Sequence, residues 1–437
     1  MRESSCNGSK AQVILYSLLG ALVCGVLWRF RGSHGWGGED ALLNVGFMFL
    51  CFLVILTGGN GKTTPSRIAL TSIAFMCSTP AWGTFINQIK GVVSAGTHPL
   101  IPVSPFSGMI MMMLLGFGIS GIFGILLGSM FSKTRWKLSH FVVLVVVFNA
   151  LMYLLRATIC HPILLALQPE SVGAFRQSLA AAGIQEGVFK TYLVHFDDMA
   201  WAKTFVGGRN YVASLGTISM AMSTGVCLLL TRYWISDRTS ARIGLMSALA
   251  FSFAITLSDL AFVLWGDTGS PALFPSKHIH AWGCWEYLTG FFAGGIMTYS
   301  VLKWGEDGVE GDGCLDFLPS KVRNISAFLV TFAVMGYNLT HPVICRFDGS
   351  DYRPIVFAAI SLVFSAIVVF AAFKSRFGKL KPDNYRFCEY AFLFLLIMQS
   401  LVYFFGSGDY ANFMNLPDME HMMTLISIVL IIIFEAI

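Results

Sequence analysis

The sequence predicts an all-α, polytopic membrane protein of about twelve transmembrane helices in two parallel six-helix repeats. Three observations predict this. The first is composition: 55% of the 437 residues are hydrophobic, only 12% are charged, and the mean hydropathy is +0.69. Soluble domains carry about a quarter charged residues, so this chain lacks the groups to cover a water-facing surface. The second is the length of the apolar runs, about twenty residues, which matches the ~30 Å hydrocarbon core of a bilayer. In lipid only helices and closed barrels satisfy the backbone, and runs of this length without alternation are helices. The third is a motif that occurs twice at a fixed offset.

The motif begins in the connection after the first apolar run, Trp28-Arg29-Phe30-Arg31-Gly32-Ser33-His34-Gly35-Trp36-Gly37-Gly38-Glu39-Asp40. Its second copy is His280-Ala281-Trp282-Gly283-Cys284-Trp285-Glu286. One offset carries His34 onto His280, Trp36 onto Trp282, Gly37 onto Gly283, Asp40 onto Glu286 and Leu42 onto Leu288. His-Pro follows helical runs at His98-Pro99, His161-Pro162 and His341-Pro342. Duplication divides the chain into halves 1–236 and 237–437. Six spans per half is an even number, which makes the repeats parallel.

In chain order the expected spans are 11–29, 40–58, 66–86, 107–131, 138–159 and 210–233 in the first half. In the second half they are 241–265, 284–303, 322–341, 354–374, 386–406 and 421–437. The same offset lays the fourth span on the tenth and the fifth on the eleventh. The first run is read as a retained helix, because its apolar part exceeds a signal-peptide core and no small-residue cleavage site precedes Arg29. Basic clusters at Lys133/Arg135/Lys137, Arg232/Arg238/Arg242 and Lys374/Arg376/Lys379/Lys381/Arg386 put those loops and both termini in the cytoplasm of a cell (plasma or inner) membrane.

The long connection 160–209 then lies outside. Phe175, Leu179 and Ala182, then Phe189, Tyr192, Leu193 and Phe196, space two short amphipathic helices broken at Gly183–Gly187. The inner loop 305–321 is acidic and glycine-rich without the ligand spacing of a calcium loop, so it reads as solvated. Most of the ten cysteines sit within spans as small hydrophobes, and Cys160 and Cys345 near outer helix ends are expected to be free thiols. Major-facilitator transporters also pair two six-helix halves. Here the loop 58–66 lacks their charged Gly-x-x-x-Asp-Arg/Lys motif, and no family is assigned.

Histidine placement carries the functional signal. Of nine histidines, His34, His98, His161, His195, His278, His280, His341 and His421 fall on the outer side and only His140 inside. Histidine changes charge near neutral pH, so a one-sided set points to an outward-facing site. Charges within the spans point to transport, because an intramembrane acid is costly and marks an ion or substrate pathway. The expected function is therefore a secondary transporter or permease for a small polar or ionic solute. Its pathway would be lined by Arg29, Arg31, His34, Trp36, Glu39, Asp40, Arg156, Asp259, His280, Trp282, Glu286 and His341, with Asp259 sensing the ion. Asn44, Asn149, Asn338 and Gln399 add neutral polar groups to other spans.

The competing expectation is an enzyme of the outer leaflet that transfers an acyl or glycosyl group on lipid-linked or glycan substrates. There His195 with Asp197 and Asp198 would supply acid/base catalysis. His278-x-His280 is too common to specify a metal, and no Cys/His pair has i,i+4 spacing, so no metal or other cofactor is expected. The expected partners are the bilayer and a small-molecule substrate. Gly58-Gly59-Asn60-Gly61-Lys62 lacks P-loop spacing, and nothing in the sequence signals nucleic-acid binding.

Overall fold

The computed structural model describes residues 9–33, 38–57, 64–78, 88–95, 98–184, 204–266, 272–276, 278–306, 314–346, 353–377, 384–405 and 419–436. Among the described residues the regular structure is helical apart from one short hairpin. The helices are α1 (Lys10–Ser33), α2 (Gly38–Leu56), α3 (Pro65–Cys77), α4 (Pro105–Met130), α5 (Leu138–Leu155), α6 (His161–Leu167) and α7 (Pro169–Ala181). They continue with α8 (Gly208–Tyr233), α9 (Arg238–Ser258), α10 (Leu260–Trp265), α11 (Ala281–Trp304), α12 (Ser320–Arg346), α13 (Arg353–Phe377), α14 (Asn384–Phe405) and α15 (Met419–Ala436). Each of the twelve stretches expected to span contains a helix, the third only as far as Cys77, with 79–86 outside the described residues. Among the described residues six segments are long and apolar enough to cross a membrane: Lys10–Arg31, Pro105–Met130, Leu138–Leu155, Gly208–Tyr233, Arg238–Trp265 and Phe387–Phe404.

The third stretch is the shortest. Proline at the first helical position and the Thr64 hydroxyl, which accepts from the Arg67 amide, start α3. It stops at Cys77, where the Ser78 hydroxyl turns back onto the Ala74 carbonyl at 2.8 Å, and Pro80 follows two residues on. After a single 3₁₀ turn at Gln88–Lys90, strands β1 (Val92–Ala95) and β2 (His98–Pro102) pair antiparallel, Val93 opposite Ile101. A π-helical turn at Arg156–Cys160 joins α5 to α6. As the spacing of Phe175 and Leu179 predicts, α7 buries both on one face and ends before Gly183, whose φ is +72°. The second amphipathic helix expected there lies outside the described residues.

The interior is built on small residues, which replace the hydrophobic effect as the means of packing in lipid. Gly116, Gly121, Gly124 and Gly128 of α4 face Ser252, Ala248, Ser247 with Gly244, and Ser240 of α9 in turn. A Cβ on Gly116 would lie 2.6 Å from the Ser252 Cα, and one on Gly124 would lie 2.4 Å from the Ser247 Cβ. These helices touch through their backbones. In the same way α1 lies along α11, where a Cβ on Gly290 would meet the Cys24 carbonyl oxygen at 2.3 Å. Helices α5, α8, α4, α9, α11, α1 and α15 follow one another as packed neighbours, and α2 links this row to α3, α12, α13 and α14.

Polar loops gather at two ends. At one end the Glu306 amide donates to the Phe131 carbonyl at 2.7 Å, Asp316 binds Arg135 and Arg323, and the Trp136 indole donates to Asp237 at 2.7 Å. This end unites the loops after α4, α8 and α11, all three expected to be cytoplasmic. At the other end the C-terminus of α1 meets the N-termini of α11 and α15.

Candidate functional site

The motif around Arg29 and its later copy meet at that second end. Because α1 and α11 run antiparallel in close contact, the last turn of α1 lies beside the second turn of α11. Arg29 Nη1 lies 2.8 Å from Glu286 Oε2, and Arg31 Nη2 lies 3.2 Å from Glu286 Oε1. Residues two apart on a helix point in different directions. The two arginines therefore reach Glu286 from opposite sides and take one carboxylate oxygen each. All three side chains are nearly dry, 11% exposed for the arginines and 8% for the glutamate. The Arg29 guanidinium lies 5.5 Å from the Tyr403 ring centre and that of Arg31 lies 5.0 Å from the Trp28 ring, within cation–π range.

A fourth helix closes the corner. The first turn of α15 brings Glu420 and His421, both buried, against the start of α11. The Met419 amide donates to the His278 carbonyl at 2.8 Å, and the His280 amide faces Glu420 Oε2 at 3.4 Å. Gly283 permits this approach, since a Cβ there would sit 2.5 Å from the Glu420 Cγ. Deeper in the same junction the Tyr287 and Ser427 hydroxyls lie 2.6 Å apart. The ring of His421 is 5.5 Å from that of Tyr403. The corner thus holds two arginines and two glutamates, whose formal charges cancel, inside an apolar bundle. Their desolvation is offset only while the pairs stay together.

Polar groups continue below the corner. Gln399 lies one helical turn from Tyr403 on α14, about 6 Å along its axis. Its amide exchanges hydrogen bonds with Asn44 of α2: Gln399 Nε2 to Asn44 Oδ1 at 2.7 Å and Asn44 Nδ2 to Gln399 Oε1 at 3.2 Å. Asn338 of α12 lies beside them, its backbone carbonyl 3.4 Å from Gln399 Nε2. The Asn338 side chain is 1% exposed, and neither its oxygen nor its nitrogen has a hydrogen-bond partner among the described residues.

The other expected site residues separate into three groups. His280 caps α11, its Nδ1 accepting from the Gly283 amide at 3.4 Å, while its ring stays exposed. Trp282 packs edge-on against Phe262 and Trp285 at 5.1 and 6.1 Å. Glu39 and Asp40 occupy the first turn of α2, where the helix dipole favours acids, and His341 lies in α12. The side chains of these last three, and all of His34, Trp36, His195, Asp197 and Asp198, lie outside the described residues.

Asp259 and Arg156 stand apart from the corner and from each other. Asp259 is fully buried at the break between α9 and α10, and neither carboxylate oxygen has a hydrogen-bond partner among the described residues. The charge that reaches it is that of Lys90 in the 3₁₀ turn. Arg156 opens the π-helical turn, its guanidinium against Gly216 of α8, where a Cβ would come within 2.4 Å of Nη2. An ion pair between Arg156 and Asp259 would account for both charges, but no such pair forms. Nearby, Arg176 of α7 lies 3.2 Å from His161 Nε2, and His161 Nδ1 lies 3.1 Å from the Tyr211 hydroxyl. Arginine only donates, so Nε2 accepts and Nδ1 carries the proton. No group of three His, Cys, Asp or Glu side chains converges among the described residues.

Sequence reasoning overlooked Glu420 and Tyr403. The signal for Glu420 was present, an acid beside an outer-side histidine in the first turn of the last helix. Tyr403 reads in sequence as one more interfacial aromatic, and only the rotation of α14 turns it toward Arg29. No family model, no curated protein and no solved structure matches the chain.

Proposed function

We propose that the chain is a multi-pass membrane transporter of a small polar or ionic solute, entered through the corner formed by Arg29, Arg31, Glu286 and Glu420. One observation carries this reading. A glutamate clasped by two arginines is buried where α1, α11, α14 and α15 meet, with unspent amide groups a turn below it. A purely structural junction in lipid is built more cheaply from small residues, as α4 and α9 are. Buried charges at a helix junction are the currency of solute and ion pathways.

In this reading all twelve helical stretches cross the membrane, the loops after α4, α8 and α11 face the cytoplasm with both termini, and the corner opens outside. The repeat is supported by the offset that lays α4 on α13 and α5 on α14. Asp259, buried and without a hydrogen-bond partner among the described residues, is the ion-sensitive group, and the amide triad of Asn44, Gln399 and Asn338 continues the path inward. His34, Trp36, Glu39, Asp40, His280 and Trp282 border the entrance, with His341 on the same side.

Membrane vesicles from cells expressing the chain, energised by a proton gradient and offered a panel of labelled small acids, amino acids and sugars, test this. Uptake that Asp259→Asn and Glu286→Gln abolish and His195→Ala spares is the expected result. If His195→Ala instead removes a modified lipid or glycan from the cells while both acidic variants are silent, the chain is an enzyme of the outer leaflet.

A further inference from the structure

The seam between α4 and α9 opens, on its lipid-facing side, into a groove of about 600 Å³. Its rim residues Met109, Met113, Leu249, Phe253 and Leu260 are 40–55% exposed. Its floor is closed by the contact of Gly116 with Ser252, and its end by Ile89 beside the 3₁₀ turn. Along α9 and α10 it runs from Leu249 to Leu260, about 16 Å at 1.5 Å per residue. Leu249 lies at the middle of α9 and Leu260 just beyond its C-terminus, while on α4 the wall runs from near the N-terminus to the middle. Half of a ~30 Å hydrocarbon core is about 15 Å, so the groove has the depth of one leaflet.

The lining holds two hydroxyls. That of Ser252 is 2.7 Å from the Met113 carbonyl and 2.8 Å from that of Ala248, so its proton is spent. The Thr256 hydroxyl is buried and has no hydrogen-bond partner among the described residues. A threonine in a helix ordinarily bonds the carbonyl one turn back. This one keeps its donor for something else. The site is thus apolar along its length, with one unpartnered hydroxyl near one end. That is the order of groups along one chain of a phospholipid: acyl tail, then ester carbonyl.

We propose that this groove binds one acyl chain of a phospholipid from the leaflet at the Asp259 end, with Thr256 Oγ1 donating to an ester carbonyl of that lipid. The test uses the full-length protein in vesicles of phosphatidylcholine and phosphatidylglycerol containing phosphatidylcholine with a diazirine in one acyl chain. After illumination, labelled peptides are mapped by mass spectrometry. Labelling is expected to concentrate on 109–117 and 249–260, and Met113→Trp, which fills the groove, is expected to lower it at least fivefold there. Labelling on α13, whose outer face is also apolar, serves as the reference and stays unchanged. Thr256→Val keeps the shape and removes one hydrogen bond, so labelling should fall about fivefold even if the tryptophan variant fails to fold. Equal labelling of the groove and α13, or labelling that Thr256→Val leaves intact, reduces the groove to ordinary boundary lipid and overturns the proposal.

Discussion

The α4–α9 seam and the α1–α11–α14–α15 corner are both buried helix junctions, and they are built on opposite principles. The seam removes side chains. Glycine and serine bring backbones together, and the Ser252 hydroxyl reaches across to the Met113 carbonyl at 2.7 Å. The corner inserts side chains that lipid disfavours and holds them by mutual attraction. A seam of backbone contacts has one well-packed arrangement, since sliding by a residue brings a Cβ into a carbonyl. The corner is held by charge: Arg29 and Arg31 each take one oxygen of Glu286. The contrast sets backbone contact at the seam against mutual attraction of charges at the corner.

The largest expected effect comes from Glu286→Ala, which leaves two buried guanidinium groups without their acid and costs about 4 kcal/mol. Thermal unfolding in detergent measures it. The companion triple variant Arg29→Met, Arg31→Met, Glu286→Met removes the charges together. It is expected to unfold within about 1 kcal/mol of the native chain, or above it, and to be inactive in uptake. If the triple variant were as unstable as Glu286→Ala, the corner would be structural. Next, Gly124→Leu should cost about 3 kcal/mol by forcing α4 off α9, with α1 still docked on α11. Asn44→Leu strands the Gln399 amide for about 2 kcal/mol. Smallest is Arg135→Ala at the opposite end. It breaks a largely exposed pair with Asp316 while Arg323 remains, so a loss under about 1 kcal/mol is expected.

Much of this architecture was legible in the sequence because hydropathy and length report the solvent directly. The regular structure of the described residues is helical apart from one hairpin, and six of the helical segments are long and apolar enough to cross a membrane. Arg29 and Arg31 do lie against Glu286, joining two stretches that the sequence already singled out. What the sequence conceals is rotation. Asp259 and Arg156 are both expected along one pathway, yet Asp259 sits at the break between α9 and α10 while Arg156 lies against Gly216 of α8.

The repeat shows the same limit. The offset lays α13 on α4, but α4 carries a glycine–serine stripe and is wrapped by α3, α8 and α9. Helix α13 has no glycine and turns Ile355, Val363, Ile367 and Phe370 outward. Matching position under the offset does not bring matching packing, because the close packing of α4 follows its glycines and α13 has none. Glu420 escaped notice for a related reason: its helix has no counterpart under the offset.

A corner that admits solute from outside must be reachable from outside. A single cysteine at Ser33, in a chain whose native cysteines are replaced, is offered a membrane-impermeant maleimide on intact cells, Lys133→Cys serving as the control at the opposite end. Position 33 should be labelled in intact cells and position 133 only after permeabilisation. Labelling of position 33 only after permeabilisation would place the corner on the cytoplasmic side and rule out entry there.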